Sequence, residues 1–263
     1  MKTINKEGIY SWTLYGGAIL EGYSGNTSNS KGFNFRGGDA RNTEGIWFWN
    51  KPFIIPDPTT AGGKMAVLIM DTQGMWDGQT GQGLTASIFG LSTLLSSYQI
   101  YNVDRRLQED FLQHLALFTD YSIRIRDSGK SGDHPPFQHI DFLVRDYANF
   151  RNENNQASCL KEMESYKNSF LSPRNTEDLN ETRNQIKECY QMIDVYCLPH
   201  PGLEVSRVSY DGTIKTISSA FLNLLSNYIT SIFTKGLVPL EINNRPVYSK
   251  DYESYIACYL DLG

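Results

Sequence analysis

The sequence has no long hydrophobic segment. Its 263 residues contain no run of the roughly 20 apolar residues that a membrane-spanning helix needs. The nearest candidate, residues 220–229, is shorter and contains asparagines, so we interpret it as an amphipathic core helix. The amino terminus also lacks the positive charge followed by an apolar stretch that marks a signal peptide. We therefore expect a cytoplasmic chain that does not insert directly into a membrane.

Cysteine and positive charge are also scarce. The 4 cysteines form no Cys-x-x-Cys pair and have no histidine pattern beside them, which argues against both a disulfide framework and a zinc site. We expect them to be buried free thiols. The net charge of -5 argues against a nucleic-acid partner. With 40% hydrophobic residues, a chain of this length can bury one large core.

Strand and helix patterns alternate along most of the chain. This alternation predicts the α/β class, with a mostly parallel sheet flanked by helices on both faces. The strands are expected at 46–55, 65–70, 140–144 and 192–198, and the helices are expected around 84–95, 107–118, 176–190, 217–228 and 252–259. Residues 127–138 are expected to form a loop. Residues 149–175 are interpreted as a mobile insertion with a short helix inside it.

The apolar run at 65–70 is followed by Asp71 and, three residues later, by Gly74. Such a run predicts a central strand that is buried on both faces of a parallel sheet. Ligands of such sheets bind at the carboxyl ends of the strands. A carboxylate at that position can hold a magnesium ion, and a nearby glycine lets a backbone N–H approach a phosphate. The turn at 61–63 suggests an antiparallel hairpin with the preceding strand.

Longer motifs surround this site in a fixed order. They occupy residues 33–38, 41–49, 91–103, 108–115, 142–146 and 197–203. The ordered set closely resembles the G domain of atlastins, which belong to the guanylate-binding-protein class of dynamin-superfamily large GTPases. The resemblance covers roughly residues 32–263 and leaves 1–31 as a non-matching segment. It implies a P-loop NTPase fold, incomplete at its amino terminus, that binds GTP or GDP with Mg²⁺.

The resemblance also assigns the phosphate side of the site. Thr43 matches the switch threonine whose hydroxyl ligates magnesium and whose carbonyl positions the attacking water. Asp71 matches the magnesium-associated carboxylate, and Gly74 matches the backbone donor to the γ-phosphate. Arg41 has either a switch role or no more than a solvated surface position. Gln73 is not expected to orient water, because it precedes the glycine rather than following it.

The base side is assigned in the same way. Arg145 and Asp146 match the guanine-recognition pair, in which both oxygens of the aspartate accept from the ring N1–H and the exocyclic N2–H. Adenine offers no such donor pair, so the site selects guanine. Arg145 is expected to pack over or beside the base. Residues 199–202 match the segment that covers the base, with Pro199 and His200 in contact and His200 as a loop residue rather than a catalyst.

The phosphate-binding loop departs from the family pattern. The best positional match keeps Gly17, Gly22 and Ser24, but Tyr23 replaces the lysine and Leu20 falls where the family has an arginine. Chance explains this match about as well as descent does. The chain also contains a Gly-Lys-Ser sequence at 129–131. It follows a helix and comes after the Asp71 strand, so we reject it as the phosphate-binding loop. Without the cation, the arginine and the helix dipole, we expect hydrolysis to be poor or absent.

Three interpretations follow from this pattern. The chain is a truncated or rearranged atlastin-like GTPase, whose relatives act in endoplasmic-reticulum membrane fusion from the cytosolic face and pair as homodimers across their nucleotide faces. Alternatively, it is a pseudo-GTPase that serves as a protein-interaction module. The third interpretation is an incomplete gene model whose first residues are not physiological.

Overall fold

The computed structural model describes residues 11–12, 19–20, 45–49, 51–73, 81–126, 135–207, 210, 213–242 and 244–262. The strands are β1 (Ser11–Trp12), β2 (Ile19–Leu20), β3 (Ile46–Phe48), β4 (Phe53–Pro56), β5 (Lys64–Val67), β6 (Met70–Thr72), β7 (Tyr98–Asp104), β8 (Phe137–Arg145), β9 (Tyr190–Cys197), β10 (Glu241–Ile242) and β11 (Arg245–Pro246). The helices are α1 (Gln82–Leu94), α2 (Glu109–Arg126), α3 (Gln156–Leu171), α4 (Glu177–Cys189), α5 (Ser219–Ser231) and α6 (Ser249–Leu262).

A parallel sheet of β7, β8 and β9 forms the centre of the described structure. In β8, every residue before Arg145 is buried, as expected for a strand covered on both faces. Strand β7 was not predicted from the sequence. Its polar residues Gln99 and Asn102 interrupt the apolar pattern. Gln99 is accommodated because it bonds to Thr93 of α1, and Asn102 is exposed.

Helices cover both faces of this sheet. On one face, the ring of Tyr101 packs against Phe89 of α1, with 6.2 Å between the ring centroids. On the other face, the hydroxyl of Tyr196 donates to the Leu224 carbonyl of α5 over 2.7 Å. The predicted α/β class, a parallel sheet with helices on both faces, is therefore confirmed.

The region around the Asp71 motif differs from its prediction. The strands expected at 46–55 and 65–70 form a hairpin, as the turn predicted, but each is divided in two. We call this hairpin the ribbon (residues 45–49 and 51–73). Between the pair Phe48↔Met70 and the pair Phe53↔Val67, four positions on one strand face two on the other. Such a mismatch is a bulge, and Pro52, which has no N–H to donate, lies within it.

The prediction that residues 65–70 form one strand buried on both faces is wrong. Strand β5 is antiparallel to β4, and Met65 is buried while Ala66 is exposed. Leu68, between β5 and β6, is 40% exposed. One face of the ribbon therefore meets the protein and the other meets solvent, which is the usual arrangement in antiparallel pairs.

The helices agree with the sequence patterns, with one correction. Residues 149–175 are not an insertion with a short helix, because α3 extends over 16 residues and buries Cys159, Met163 and Phe170. The side chain of Asn155 caps its first turn by accepting from the Ser158 N–H over 3.1 Å. Thr176 occupies the predicted cap position of α4, although its side chain makes no capping hydrogen bond.

Two further expectations are only partly met. Of the cysteines, Cys159, Cys189 and Cys197 are buried free thiols, whereas Cys258 is exposed on α6. Within the expected loop at 127–138, residues 127–134 lie outside the described part of the chain, and Phe137 and Gln138 already belong to β8. In the described ranges, no helix combines the length and the apolar character that crossing a bilayer requires.

A polar network joins the sheet to α5 and α3. Asp141 of β8 is fully buried and accepts from the hydroxyls of Tyr98 over 2.6 Å and Tyr228 over 2.8 Å. Burial raises the pKa of Asp141. Beside it, the Asp194 carboxylate contacts His139 Nε2 and Lys167 Nζ, each at 3.1 Å. These contacts, led by the hydrogen bond to His139, lower the pKa of Asp194 to about 2.

Candidate functional site

The carboxyl ends of β7, β8 and β9 meet at one edge of the parallel sheet. Asp104 pairs with Arg145 and Val144 pairs with Cys197, so the three strands end side by side. The Arg145 carbonyl accepts from the Arg105 N–H over 2.7 Å, on the β7 side. On the β9 side, the Leu198 N–H donates to the Val144 carbonyl over 2.8 Å. Ligands of parallel sheets bind at edges of this kind.

Asp146 is the first residue after β8 and lies between these two connections. Its φ angle of 53° is in the left-handed region, which aspartate tolerates better than most residues. Both Arg145 and Asp146 are half-buried. The next residue, Tyr147, donates its N–H to the Leu198 carbonyl over 2.9 Å, so the chain on both sides of Asp146 is held by backbone hydrogen bonds. The structure thus places the predicted base-recognition pair at the edge of the sheet.

The predicted base-covering segment, residues 199–202, follows β9 at the same edge. Nδ1 of His200 accepts from the Gly202 N–H over 3.0 Å, and the Pro201 carbonyl accepts from the Ser218 N–H over 2.7 Å. Gly202 has φ of 126°, and a Cβ there would lie 3.3 Å from the Thr216 carbonyl oxygen. The ring of His200 therefore shapes the turn, which agrees with its interpretation as a loop residue.

One element at this edge was missed by the sequence analysis. Because β7 was not predicted, the loop that follows it, with Arg105 and Arg106, was not considered. Arg105 has φ of 60°, and its side chain is 80% exposed and 3.6 Å from the Asp104 carboxylate. Two consecutive arginines directly after an aspartate were the signal that could have identified this loop.

The phosphate-side prediction lies at one end of the ribbon. Asp71 is half-buried in β6 and pairs with Trp47, so it lies inside an antiparallel strand rather than after a parallel one. Gly45 and Gln73 form the last step of this pairing: the Gly45 carbonyl accepts from the Gln73 N–H over 2.9 Å. Thr43, Arg41 and Gly74 lie outside the described residues, and their roles stay predictions.

The implied magnesium ion is compatible with the donors at this end of the ribbon. Mg²⁺ prefers oxygen ligands and usually takes only one or two carboxylates, with water and phosphate oxygens supplying the rest. Asp71 supplies one carboxylate, and in the sequence Thr43 comes two residues before Gly45, at the end where Asp71 lies. In the described part of the chain, no group of three or more histidine, cysteine, aspartate or glutamate side chains that could hold a metal ion occurs, at this end of the ribbon or in any other place.

The alternative phosphate-binding residues are not described. The described residues do not include Gly17, Gly22, Tyr23 or Ser24. They also do not include the rejected Gly-Lys-Ser at 129–131. Within the candidate loop, β2, which contains Leu20, pairs antiparallel with β1.

Comparison with known proteins identifies the family. Residues 16–241 match the family described as "Guanylate-binding protein, N-terminal domain". The chain belongs to this family. Among the similar proteins of the guanylate-binding-protein family, atlastin-2 of Homo sapiens is 36% identical over 245 residues, which cover 90% of this chain and 40% of the relative. Atlastin of Drosophila melanogaster is 34% identical over 241 residues, which cover 90% and 43%.

This guanylate-binding-protein domain corresponds to only part of its relatives. Atlastin-1 of Bos taurus is 36% identical over 233 residues, and the chain spans 41% of its length. The family match begins at residue 16, within the segment 1–31 that was predicted not to match the family. That boundary stays a prediction.

Proposed function

We propose that this chain is an atlastin-like G domain that binds a guanine nucleotide with Mg²⁺, with the base at the edge formed by the carboxyl ends of β7, β8 and β9. Arg145 and Asp146 recognise the base, residues 199–202 cover it, and Asp71 and Thr43 hold the metal. By its similarity to the relatives named atlastin, we further propose a role in endoplasmic-reticulum membrane fusion on the cytosolic face, with pairing of two copies across the nucleotide face.

The observation that carries this proposal is the geometry around Asp146. A half-buried carboxylate follows the central strand of a parallel sheet in a left-handed conformation, with a fixed loop on each side. The two acceptor oxygens of a carboxylate match the N1–H and N2–H donors of guanine. Backbone hydrogen bonds of 2.7 to 2.9 Å hold the neighbouring loops, so little ordering is needed when the base binds.

Hydrolysis is a separate part of the proposal. A strand inside the candidate phosphate loop, and Tyr23 in place of a lysine, favour low turnover. A neutral hydroxyl supplies no charge to the β and γ phosphates, and loss of an arginine contribution alone costs about three to five orders of magnitude in rate. These observations also favour the second candidate function, a pseudo-GTPase that keeps the base site and acts as an interaction module.

The test is nucleotide binding by the intact chain and by Asp146→Asn. We expect the unmutated chain to bind GDP more tightly than ADP. The asparagine offers an N–H where guanine also donates, so it should weaken GDP binding by roughly a hundredfold and improve binding of XDP. Xanthine has a carbonyl at the position of the guanine amine, and the asparagine N–H can donate to it. Isothermal titration calorimetry measures all these affinities.

Asp104→Asn is the matched control for this substitution. It removes a carboxylate at the end of the neighbouring strand, where the side chain is 53% exposed. GDP affinity should then change less than threefold. Equal affinities of the unmutated chain for GDP and ADP would overturn the proposed guanine site.

Phosphate release with GTP and Mg²⁺ tests the hydrolysis proposal. The chain should release phosphate at a rate near background. A version whose first 31 residues are replaced by an intact phosphate loop and helix should be faster by several orders of magnitude. Robust turnover by the unaltered chain would contradict the low-activity proposal and, with it, the pseudo-GTPase alternative.

A further inference from the structure

The ribbon ends in a hydrogen bond between a side chain and the backbone. Oε1 of Gln73 accepts from the Gly45 N–H over 2.8 Å, while the Gln73 N–H donates to the Gly45 carbonyl over 2.9 Å. Gln73 thus binds both polar backbone groups of Gly45. Along the rest of this strand pair the bonds are between backbone groups, with the Trp49 N–H donating to the Ile69 carbonyl over 2.8 Å at the far end.

The side chain of Gln73 is buried, with 5% of it exposed. The hydrogen bond itself is partly buried, and a bond that is partly shielded from water is stronger than an exposed one. Leaving a buried polar group such as the Gln73 amide unpaired is costly. Gly45 has φ of 70°, where a side chain would be strained. The left-handed glycine turns the chain out of the ribbon, and the Gln73 side chain holds its N–H group at that turn.

The two segments joined by this hydrogen bond are those that carry the phosphate-side residues. In the sequence, Thr43 and Glu44 directly precede Gly45, and Gly74 directly follows Gln73. Asp71 lies two residues before Gln73 in β6. The link is therefore located at the point where both segments leave the ribbon.

We propose that Gln73 is a positioning residue, which fastens the segment carrying Thr43 to the segment carrying Asp71 and Gly74. Its effect on nucleotide binding rests on the proposed function, but the link itself does not. Gln73 acts through Gly45 rather than on water, because its Oε1 accepts from a backbone amide and its side chain is buried. By holding Gly45 against Gln73, the link fixes the point from which the segment carrying Thr43 and the segment carrying Gly74 both start.

Amide hydrogen exchange tests the link without any nucleotide. Gln73→Met keeps the length of the side chain and removes the acceptor, so the Gly45 amide should exchange about tenfold faster. Gln73→Glu keeps an acceptor oxygen and should stay within about threefold of the unmutated chain. Gln191→Leu, at an exposed position on β9, is the matched control and should change nothing at Gly45. Unchanged exchange in Gln73→Met would overturn the inference.

Binding of GDP with and without Mg²⁺ tests the consequence. In Gln73→Met, the factor by which Mg²⁺ increases the affinity for GDP should fall about five- to tenfold. Gln73→Glu should keep most of this increase. Neither variant should change the preference for GDP over ADP. Equal losses in both variants would mean that the amide N–H₂ of Gln73 acts directly, which overturns the positioning role. If the unmutated chain binds no guanine nucleotide, the proposed function fails, and the exchange experiment still decides the link.

Discussion

The parallel sheet and the ribbon are both built from short strands, but they are stabilised in different ways. Strand β8 is covered on both faces, and Phe142, Leu143 and Val144 are completely buried in it. In the ribbon, burial alternates, and Trp47 and Ile54 are 50% and 60% exposed. The sheet therefore draws its stability from packing on both faces. The ribbon packs on one face only, around Ile69, and depends more on its backbone ladder, its turn and the side chain of Gln73.

This difference coincides with the two halves of the proposed site. The base side lies at the end of the packed sheet, with loops that are held by backbone hydrogen bonds on both sides of Asp146. The metal and phosphate side lies at the end of the ribbon, where Asp71 and Gln73 belong to a pair of strands with one face in solvent. We infer that the base side is preformed and that the phosphate side opens at a lower free-energy cost.

The largest expected effect comes from removing a buried ring in the sheet. Phe142 contacts Tyr101 and Phe170, with ring centroids 5.7 and 5.9 Å apart. Phe142→Ala leaves a cavity and should lower the free energy of unfolding by about 3–5 kcal/mol. Ile54→Ala in the ribbon removes a largely exposed side chain and should cost less than about 1 kcal/mol. Urea unfolding of both variants measures the difference, and similar costs would contradict the contrast between the two regions.

The elements that sequence reasoning predicted best are those whose pattern is set by burial. Strand β8 and helices α1 and α5 carry apolar residues at the spacing that their buried faces require. Strand β7 was missed because its polar residue Gln99 forms hydrogen bonds with side chains of other elements. Thr93 of α1 lies 6 positions away and Tyr190 of β9 lies 91 positions away. Partners at that range leave no local signal.

The candidate site shows the same division. Arg145 and Asp146 were identified from a motif, and they lie at the strand end where that motif predicted. The bulge that divides the ribbon depends on pairing between residues 14 and 22 positions apart, which periodicity does not reveal. Gln73 was not expected to orient the attacking water, because it precedes Gly74 in the sequence. Its contact with Gly45, 28 residues away, becomes visible only in three dimensions.

A smaller effect is expected at the glycine that ends the ribbon. Gly45 has φ of 70°, and a Cβ there would contact nothing within 4 Å, so Gly45→Ala introduces backbone strain alone. We expect the opening free energy of the ribbon to fall by about 1 kcal/mol. Gly83→Ala, inside α1 and equally open, should instead stabilise its helix by about 0.5–1 kcal/mol. Native-state hydrogen exchange of the Trp49 amide and of α1 amides reports each change, and a stabilised ribbon in Gly45→Ala would contradict the left-handed turn.

The smallest effect concerns acid, and it compares one carboxylate in each region. Asp194 of the sheet has its pKa lowered from 3.8 to about 2. The folded state therefore binds its proton less readily than the unfolded state does. The stability that this group contributes is complete above about pH 4 and is lost as the pH falls towards 2. Because 42% of the side chain is exposed, we expect a contribution of only about 1 kcal/mol.

The matched carboxylate in the ribbon is Asp57. Its pKa is also lowered, first by the hydroxyl of Thr59, but that hydrogen bond is exposed to solvent. Asp194→Asn should reduce stability at pH 7 and flatten the loss of stability between about pH 4 and pH 2, whereas Asp57→Asn should leave that loss unchanged. Urea midpoints measured from pH 7 to pH 2.5 provide the comparison. If Asp57→Asn removed more of the acid-induced loss than Asp194→Asn, the acid-sensitive contacts would lie in the ribbon rather than in the contacts of Asp194 with His139 and Lys167.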